Sequence, residues 1–89
     1  MSTLFEVIGD PSRRRMLDLL RDDEHTVNEL VDALDMSQPA VSHQLRILRQ
    51  ARLVRGRRAG RETFYRLDDH HVLTLLSEGL KHVGHHGDV

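Results

Sequence analysis

Hydrophobic residues recur at helical spacing through the first half of the chain, and short polar stretches separate them. Asp10 followed by Pro11 predicts a helix start, because aspartate caps helices and proline suits the first helical position. Thr26 and Glu29 stand at capping-box spacing and predict the next helix. Ser37 predicts the cap of a further helix. The pattern therefore predicts short helices joined by tight turns.

The helix predicted after Ser37 has two distinct faces. Val41, Leu45 and Leu48 have the i, i+4, i+7 spacing of a buried stripe. The opposite face is polar and basic, with Ser42, His43, Arg46, Arg49 and Gln50, and Gln38 at its N-terminal edge. Two short helices joined by a tight turn, the second basic on its outer face, are typical of a helix-turn-helix.

Beyond Ala51 the pattern becomes strand-like. Residues 53–55 and 63–67 predict two strands, and residues 56–61 predict a glycine-bounded loop rich in arginine. The sequence thus predicts a β-hairpin with Arg57, Arg58 and Arg61 at its tip. Three aromatic residues in the whole chain do not favour stacking on single-stranded bases.

A last helix is predicted after Asp68 and Asp69, and it is strongly apolar. Its apolar residues are Val72, Leu73, Leu75, Leu76, Leu80 and Val83. A chain of 89 residues makes one small domain with a modest core, for which dimerisation is a common remedy. We therefore expect this helix to form the interface of a homodimer.

The formal net charge of −1 hides a basic block inside an otherwise acidic chain. Residues 46–66 hold eight arginines against Glu62 alone, which indicates a surface for a polyanion, although a merely solvated face is the alternative. With the helix-turn-helix pattern, this predicts contacts to double-stranded DNA from Gln38, Ser42, His43, Arg46, Arg49, Arg57, Arg58 and Arg61. Residues 13–15 are arginines near a helix N-terminus, so at least one should pair with an acid or a phosphate.

Several classes of protein and site are disfavoured by composition. The absence of cysteine excludes disulfides and thiolate metal sites. No apolar run approaches a membrane span and no signal peptide opens the chain, so we expect a cytoplasmic protein without a membrane partner. No nucleophile–base arrangement is evident, and we expect no enzyme activity.

The C-terminal segment contains an Asp69-x-His71 pair and a His82-x-x-His85 pair. His71 and His82 point to nearly the same side of a helix but lie about 16 Å apart along its axis, so one ion cannot reach both in one chain. If two copies pack antiparallel, each pair faces the other pair across the two-fold axis, which gives two four-ligand sites. Histidine and carboxylate donors favour zinc, nickel or cobalt. The alternative is a helix-capping Asp69 with solvated histidines. His70 and His86 are either extra ligands or solvated side chains.

Residues 9–17 (GDPSRRRML) and 37–49 (SQPAVSHQLRILR) resemble the ArsR–SmtB family of bacterial metal-responsive repressors, and the similarity runs from about residue 4 to residue 85. The resemblance implies a winged helix-turn-helix homodimer that uses its first and last helices for dimer contacts. It also implies a fifth-helix metal site shared across the dimer, on which the two pairs fall. The family's cysteine site is absent from residues 26–30, which makes thiolate sensing of arsenite, lead or cadmium unexpected. Many members have glycine where Asp35 and Arg52 stand.

The predicted fold is mainly α with a small β-hairpin: one winged helix-turn-helix domain over residues 1–89, with five helices. A C-terminal dimerisation and metal-binding helix occupies about residues 69–85. The predicted function is repression of transcription through binding to operator DNA. The protein is predicted to release the DNA when the metal binds. Two alternatives remain: a DNA-binding regulator that senses no metal, and a winged-helix protein-interaction module.

Overall fold

The computed structural model describes residues 4–74 and 77–78 of the chain. The element bounds are Leu4–Gly9 (α1), Pro11–Asp22 (α2), Val27–Leu34 (α3), Gln38–Gln50 (α4), Val54–Ala59 (β1) and Glu62–Leu67 (β2). Helical backbone begins again at residues 69–74, called α5, and is also present at 77–78. The predicted fold of five helices and a β-hairpin is confirmed. None of the helices in these ranges combines the length and the apolar character needed to cross a membrane.

The three predicted helix starts are formed by side-chain caps. Thr26 and Glu29 form a complete capping box: Thr26 Oγ1 accepts a hydrogen bond from the Glu29 N–H at 3.2 Å, and Glu29 Oε1 accepts one from the Thr26 N–H at 2.8 Å. Asp10 caps α2 and Ser37 caps α4 through backbone N–H groups two and three residues on. These caps satisfy donors that a helix start leaves without partners. The caps therefore fix the residues at which α2, α3 and α4 begin.

An apolar core lies between the helices and the base of the hairpin. It consists of Val7, Met16, Leu20, Leu30, Leu34, Val41, Leu45, Leu48, Leu53 and Val54. The stripe predicted on α4 is confirmed, because Val41, Leu45 and Leu48 are all buried. Burial of a large apolar side chain typically contributes about 1.5–3 kcal/mol. The core thus holds α4 with its polar face directed outwards.

Two turns place a residue other than glycine in the left-handed backbone region. Asp35 ends α3 with φ 52° and ψ 48°, and Arg52 follows α4 with φ 59°. After α4, the Leu53 N–H donates to the Leu48 carbonyl at 2.9 Å, and the Arg52 N–H donates to the Arg49 carbonyl at 3.0 Å. These two bonds form a Schellman motif, whose left-handed position normally favours glycine. Both departures from the family pattern therefore lie where the backbone has a positive φ.

The hairpin is longer and tighter than the sequence predicts. The sequence predicts a loop over residues 56–61, but β1 runs to Ala59 and pairs with β2 over six residue pairs, from Val54 with Leu67 to Ala59 with Glu62. The prediction was wrong because the low strand propensity of Gly56 and Ala59 favours a loop, whereas pairing of the backbone with β2 keeps both residues in a strand. The turn is reduced to Gly60 and Arg61, with Gly60 at φ 63°.

The loop between α2 and α3 is joined to the hairpin by a single antiparallel bridge. The His25 N–H donates to the Tyr65 carbonyl at 2.9 Å, and the Tyr65 N–H donates to the His25 carbonyl at 2.8 Å. At the base of the hairpin, the Asp68 N–H donates to the Leu53 carbonyl at 2.9 Å. No sequence pattern indicated the bridge. It attaches the hairpin to the loop before α3 at one point, Tyr65 in the middle of β2.

Candidate DNA interface and metal site

The outer face of α4 is exposed and carries every DNA-contact residue predicted for this helix. These are Gln38, Ser42, His43, Arg46 and Arg49, all of them exposed. The core packs against the opposite side of the helix. An exposed polar helix following a tight turn has the shape of an element that enters the major groove.

The hairpin places its predicted arginines at its far end. Arg57 and Arg58 are neighbours in β1, Arg61 is in the turn, and all three are exposed. Since successive strand residues point to opposite faces, Arg57 and Arg58 serve different faces of the hairpin. Arg58 Nε donates to the Gly60 carbonyl at 3.2 Å, which braces the turn. Positive charge is thus present on both faces and at the tip.

Arg57 already forms an ion pair with an acidic residue of the loop between α2 and α3. Its Nη2 lies 2.6 Å from Glu24 Oε1 and its Nε lies 3.3 Å from Glu24 Oε2. Its guanidinium carbon lies 5.1 Å from the centroid of the Phe64 ring. The hydrogen bond from Arg57 lowers the pKa of Glu24, and the same bond raises the pKa of Arg57. A DNA phosphate would therefore compete with Glu24 for Arg57, which sequence reasoning missed because these residues are distant in the chain.

A groove separates the polar face of α4 from the hairpin. Its volume is about 410 Å³, and it is lined by Val27, Ser42, Leu45, Arg46, Arg49, Gln50 and Tyr65. The guanidinium carbon of Arg49 lies 5.8 Å from the centroid of the Tyr65 ring, in cation–π range. Gly56 pairs with Tyr65 across the sheet, and a Cβ at Gly56 would lie 3.1 Å from that ring. Tyr65 therefore connects the helix surface to the hairpin surface.

One of the three arginines at residues 13–15 has an acidic partner, as predicted. Arg13 is half-buried and its Nε lies 3.6 Å from Asp10 Oδ2, whereas Arg14 and Arg15 are exposed on the surface of α2. Arg13 also donates to Gln44, a half-buried residue of α4 that the sequence did not single out. An amide between a residue of the polar face, His43, and a core residue, Leu45, carries no distinctive signal in a single sequence.

The start of α5 presents part of the predicted metal-binding set. Asp68 is the cap, since its Oδ1 accepts a hydrogen bond from the His71 N–H at 3.2 Å. Asp69 is exposed, and its Oδ2 lies 3.8 Å from Arg66 Nη2. His70 is exposed and His71 is half-buried. His82, His85 and His86 lie outside the described residues.

The described donors fit a transition-metal ion by their chemistry. Asp69 and His71 offer a carboxylate and an imidazole, which are ordinary ligands of zinc and nickel. Two residues correspond to about 200° around a helix, so joint binding requires one side chain to reorient. The contact between Asp69 and Arg66 is exposed, and such ion pairs are weak. Asp69 can therefore leave Arg66 at little cost.

Comparisons with known proteins agree with this architecture. The chain is 46% identical over 83 residues to the transcriptional repressor SmtB homolog of Synechocystis, covering 93% of this chain and 63% of that protein. It is 44% identical over 85 residues to the HTH-type transcriptional regulator NmtR of Mycobacterium tuberculosis, covering 96% of this chain and 71% of that protein. The chain thus spans less than two thirds of the Synechocystis repressor.

Structural similarity extends over most of the fold. The homodimeric winged helix-turn-helix DNA-binding domain from Mycobacterium bovis superposes with a TM-score of 0.71 at 28% identity, covering 90% of this chain and 74% of that domain. The sequence profile of the bacterial regulatory protein, arsR family, matches residues 10–55, which include α2, α3, α4 and the start of β1. On sequence, helix-turn-helix and hairpin together, this chain belongs to the ArsR family of bacterial regulatory proteins.

Proposed function

We propose that the chain is a cytoplasmic transcriptional repressor that binds operator DNA as a homodimer and releases it when a transition-metal ion binds. The observation that carries the DNA-binding part is the exposed polar face of α4 beside an arginine-bearing hairpin. Both surfaces lie in or beside the basic segment of an otherwise acidic chain. Non-specific attraction to phosphates and specific contact to bases are then available on the same side of the molecule.

In this proposal, α4 contacts the bases and the hairpin contacts the phosphates. Gln38, Ser42, His43 and Arg46 lie on α4, where they can reach base edges in the major groove. Arg58 and Arg61 lie on the hairpin, where long flexible side chains suit phosphate contacts. Arg49 lies over Tyr65 between the two, which suits it to a phosphate near the edge of the groove.

Support for a homodimer comes from α5 and from a structural relative. Leu73 is 65% exposed in the described structure, although it is a large apolar side chain. The sequence continues with further leucines at residues 75, 76 and 80. The superposed domain from Mycobacterium bovis is homodimeric. A two-fold dimer would present its α4 helices to half-sites about one DNA turn, roughly 34–36 Å, apart.

The metal-binding part rests on the donor set at the ends of the C-terminal segment. Asp69 and His71 of one protomer, with His82 and His85 of the partner subunit, would hold zinc, nickel or cobalt, and His70 and His86 are available as further ligands. The bound ion supplies a link between the final helices of the two protomers. If that link favours a dimer geometry that fits DNA poorly, DNA must weaken metal binding by the same factor.

DNA binding is tested by fluorescence anisotropy on a duplex that the protein selects from a random-sequence pool. We expect affinity to fall steeply with salt. In a variant with Arg57, Arg58 and Arg61 replaced by alanine, the log–log slope should drop by about 0.9 for each phosphate that the protein no longer neutralises. Zinc, nickel or cobalt should weaken binding of the wild type.

Each alternative has its own outcome in this experiment. An unchanged slope in the triple variant would remove the hairpin from the interface. Absence of any DNA binding would favour a protein-interaction module. DNA binding that is indifferent to all three ions would favour a regulator that senses no metal.

A further inference from the structure

The guanidinium of Arg13 joins three helices at one point. Arg13 belongs to α2, and its Nη1 donates to the carbonyl oxygens of Glu6 at 3.3 Å and Val7 at 3.1 Å, both in α1. Its Nε donates to Gln44 Oε1 in α4 at 2.8 Å. The Arg13 side chain is only 19% exposed, so water competes weakly for its bonds to Val7 and Gln44, whereas the bond to Glu6 is exposed. The last carbonyls of a helix lack partners within the helix, and a cation there is favourable.

The side-chain amide of Gln44 uses both of its ends. Its Oε1 accepts from Arg13, and its Nε2 donates to Asp10 Oδ2 at 3.2 Å. Asp10 in turn caps α2. Closing this network requires an acceptor and a donor on one side chain of this length. A glutamate at position 44 would set two carboxylates against each other, and a methionine would offer neither bond.

This network restricts rotation of α4 about its own axis, which the apolar core does not. The contacts of Val41, Leu45 and Leu48 fix how deeply α4 is buried, but apolar contacts are non-directional and permit small rotations about the helix axis. Hydrogen bonds weaken steeply when misaligned, so Arg13 and Gln44 restrict that rotation. Base-edge contacts depend on the same angle, whereas phosphate contacts from long arginine side chains tolerate more displacement.

We propose that Arg13 and Gln44 are positioning residues that hold α4 at the rotation its base contacts require, so that sequence discrimination depends on the attachment of α4 to α1. This inference rests on the proposed DNA-binding function. The network also links α1 to α4, the helix that carries the recognition surface.

The test compares two probes: the duplex selected by the wild type, and the unselected random-sequence pool. We expect Gln44→Met to weaken binding to the selected duplex by roughly tenfold or more, the scale of one base-edge interaction. Binding to the pool, and its salt slope, should stay within about twofold of wild type, because the phosphate contacts remain. Arg13→Met should behave in the same way, and the double variant should be no worse than either single variant.

Two controls separate positioning from general destabilisation. Val31→Ala removes apolar contacts from α3, and its melting temperature should fall to a similar degree while its preference for the selected duplex is kept. Arg21→Met removes an α2 arginine whose partners Asp18 and Asp22 are exposed, and it should change neither probe. A fall in preference in Val31→Ala equal to that in Gln44→Met would overturn the inference.

A double variant that exchanges the amide and the carboxylate between positions 44 and 10 should restore the network. Gln44→Glu alone places a carboxylate against Asp10 and should weaken discrimination. Adding Asp10→Asn returns a donor to the network, and asparagine caps helices as well as aspartate does. The double variant should therefore recover preference for the selected duplex. Failure to recover, or wild-type preference in Gln44→Met, would overturn the positioning role while leaving the proposed function intact. A wild type that does not discriminate between the probes would overturn both.

Discussion

Glu24 holds Arg57 through two hydrogen bonds, of 2.6 and 3.3 Å, although 33 residues separate them in the chain. Glu24 lies in the loop between α2 and α3, and Arg57 lies in β1. The contact braces the hairpin and at the same time occupies one of its cations. A phosphate bound by Arg57 must therefore share the guanidinium with a carboxylate or displace it.

Glu24→Gln should therefore tighten DNA binding. The amide removes the charge that competes with phosphate but keeps an oxygen that can accept from Arg57. Because exposed ion pairs are weak, we expect an increase in affinity of roughly two- to fivefold. Anisotropy titration of the selected duplex at low salt measures it. Asp18→Asn is the matched control, since it removes the same charge from an exposed ion pair with Arg21. An equal gain in both variants would mean that only net charge matters.

The ion pair also sets a pH dependence. Its hydrogen bond from Arg57 lowers the pKa of Glu24 relative to the unfolded chain. The pair therefore contributes to stability above the ordinary glutamate range, near pH 4.3, and this contribution disappears as the pH falls through the lowered pKa. Carboxyl-carbon NMR titration should give Glu24 a midpoint below that range. Replacing Arg57 with glutamine should return the midpoint upwards, and an unmoved midpoint would contradict the contact.

Arg52→Gly should stabilise the fold. Arg52 adopts φ 59° after α4, where a side chain is strained and glycine is not. We expect a gain of about 0.5–1 kcal/mol in the free energy of unfolding, measured by urea denaturation. Asp35→Gly should gain less, because aspartate tolerates the left-handed region better. Arg55→Gly, in β1, is the control and should be destabilising. A decrease in stability in Arg52→Gly would show that its side chain makes a contribution larger than the strain.

Gly56→Ala should disturb the surface between α4 and the hairpin. A Cβ at position 56 would lie 3.0 Å from Thr63 Cγ2 and 3.1 Å from the Tyr65 ring, so the ring must shift. Tyr65 is the only tyrosine and the chain has no tryptophan, so tyrosine fluorescence reports on this ring alone. We expect an altered emission and weaker DNA binding, because Arg49 lies over Tyr65. Fluorescence and affinity identical to wild type would show that the ring is not held there.

The proposed metal site should be restored by mixing two inactive variants. His71→Ala and His82→Ala homodimers should each lose tight zinc binding, since every site lacks one ligand. In their heterodimer, one site lacks both ligands and the other is complete. Mixing should therefore recover one tight site per heterodimer, measured by competition with a zinc chelator. With subunit exchange confirmed, absence of recovery would place the ligands within one chain or remove them from the site.

Local signals predicted most of the fold, whereas contacts between distant residues escaped prediction. The caps at Thr26 and Ser37 and the stripe at Val41 depend on spacings of a few residues, which a single sequence displays. The extent of β1 could not be predicted in this way, because pairing of its backbone overrides the low strand propensity of glycine and alanine. The partners of Arg57 and Arg13 follow from the tertiary arrangement, which no local pattern encodes. The second half of the proposed metal site lies outside the described residues and stays a prediction.

The bridge between His25 and Tyr65 makes the hairpin part of the cooperative unit that the helices form. A two-stranded hairpin on its own is marginally stable in water. Here both backbone bonds of the bridge must break before β2 can separate from the loop that precedes α3. In hydrogen exchange, the Tyr65 amide should consequently exchange at the rate of the buried helices and not at the rate of a fraying hairpin. Loosening the hairpin would then lower the protection of the α3 amides against hydrogen exchange. Proteolytic cleavage in the hairpin would likewise make α3 more accessible to the protease.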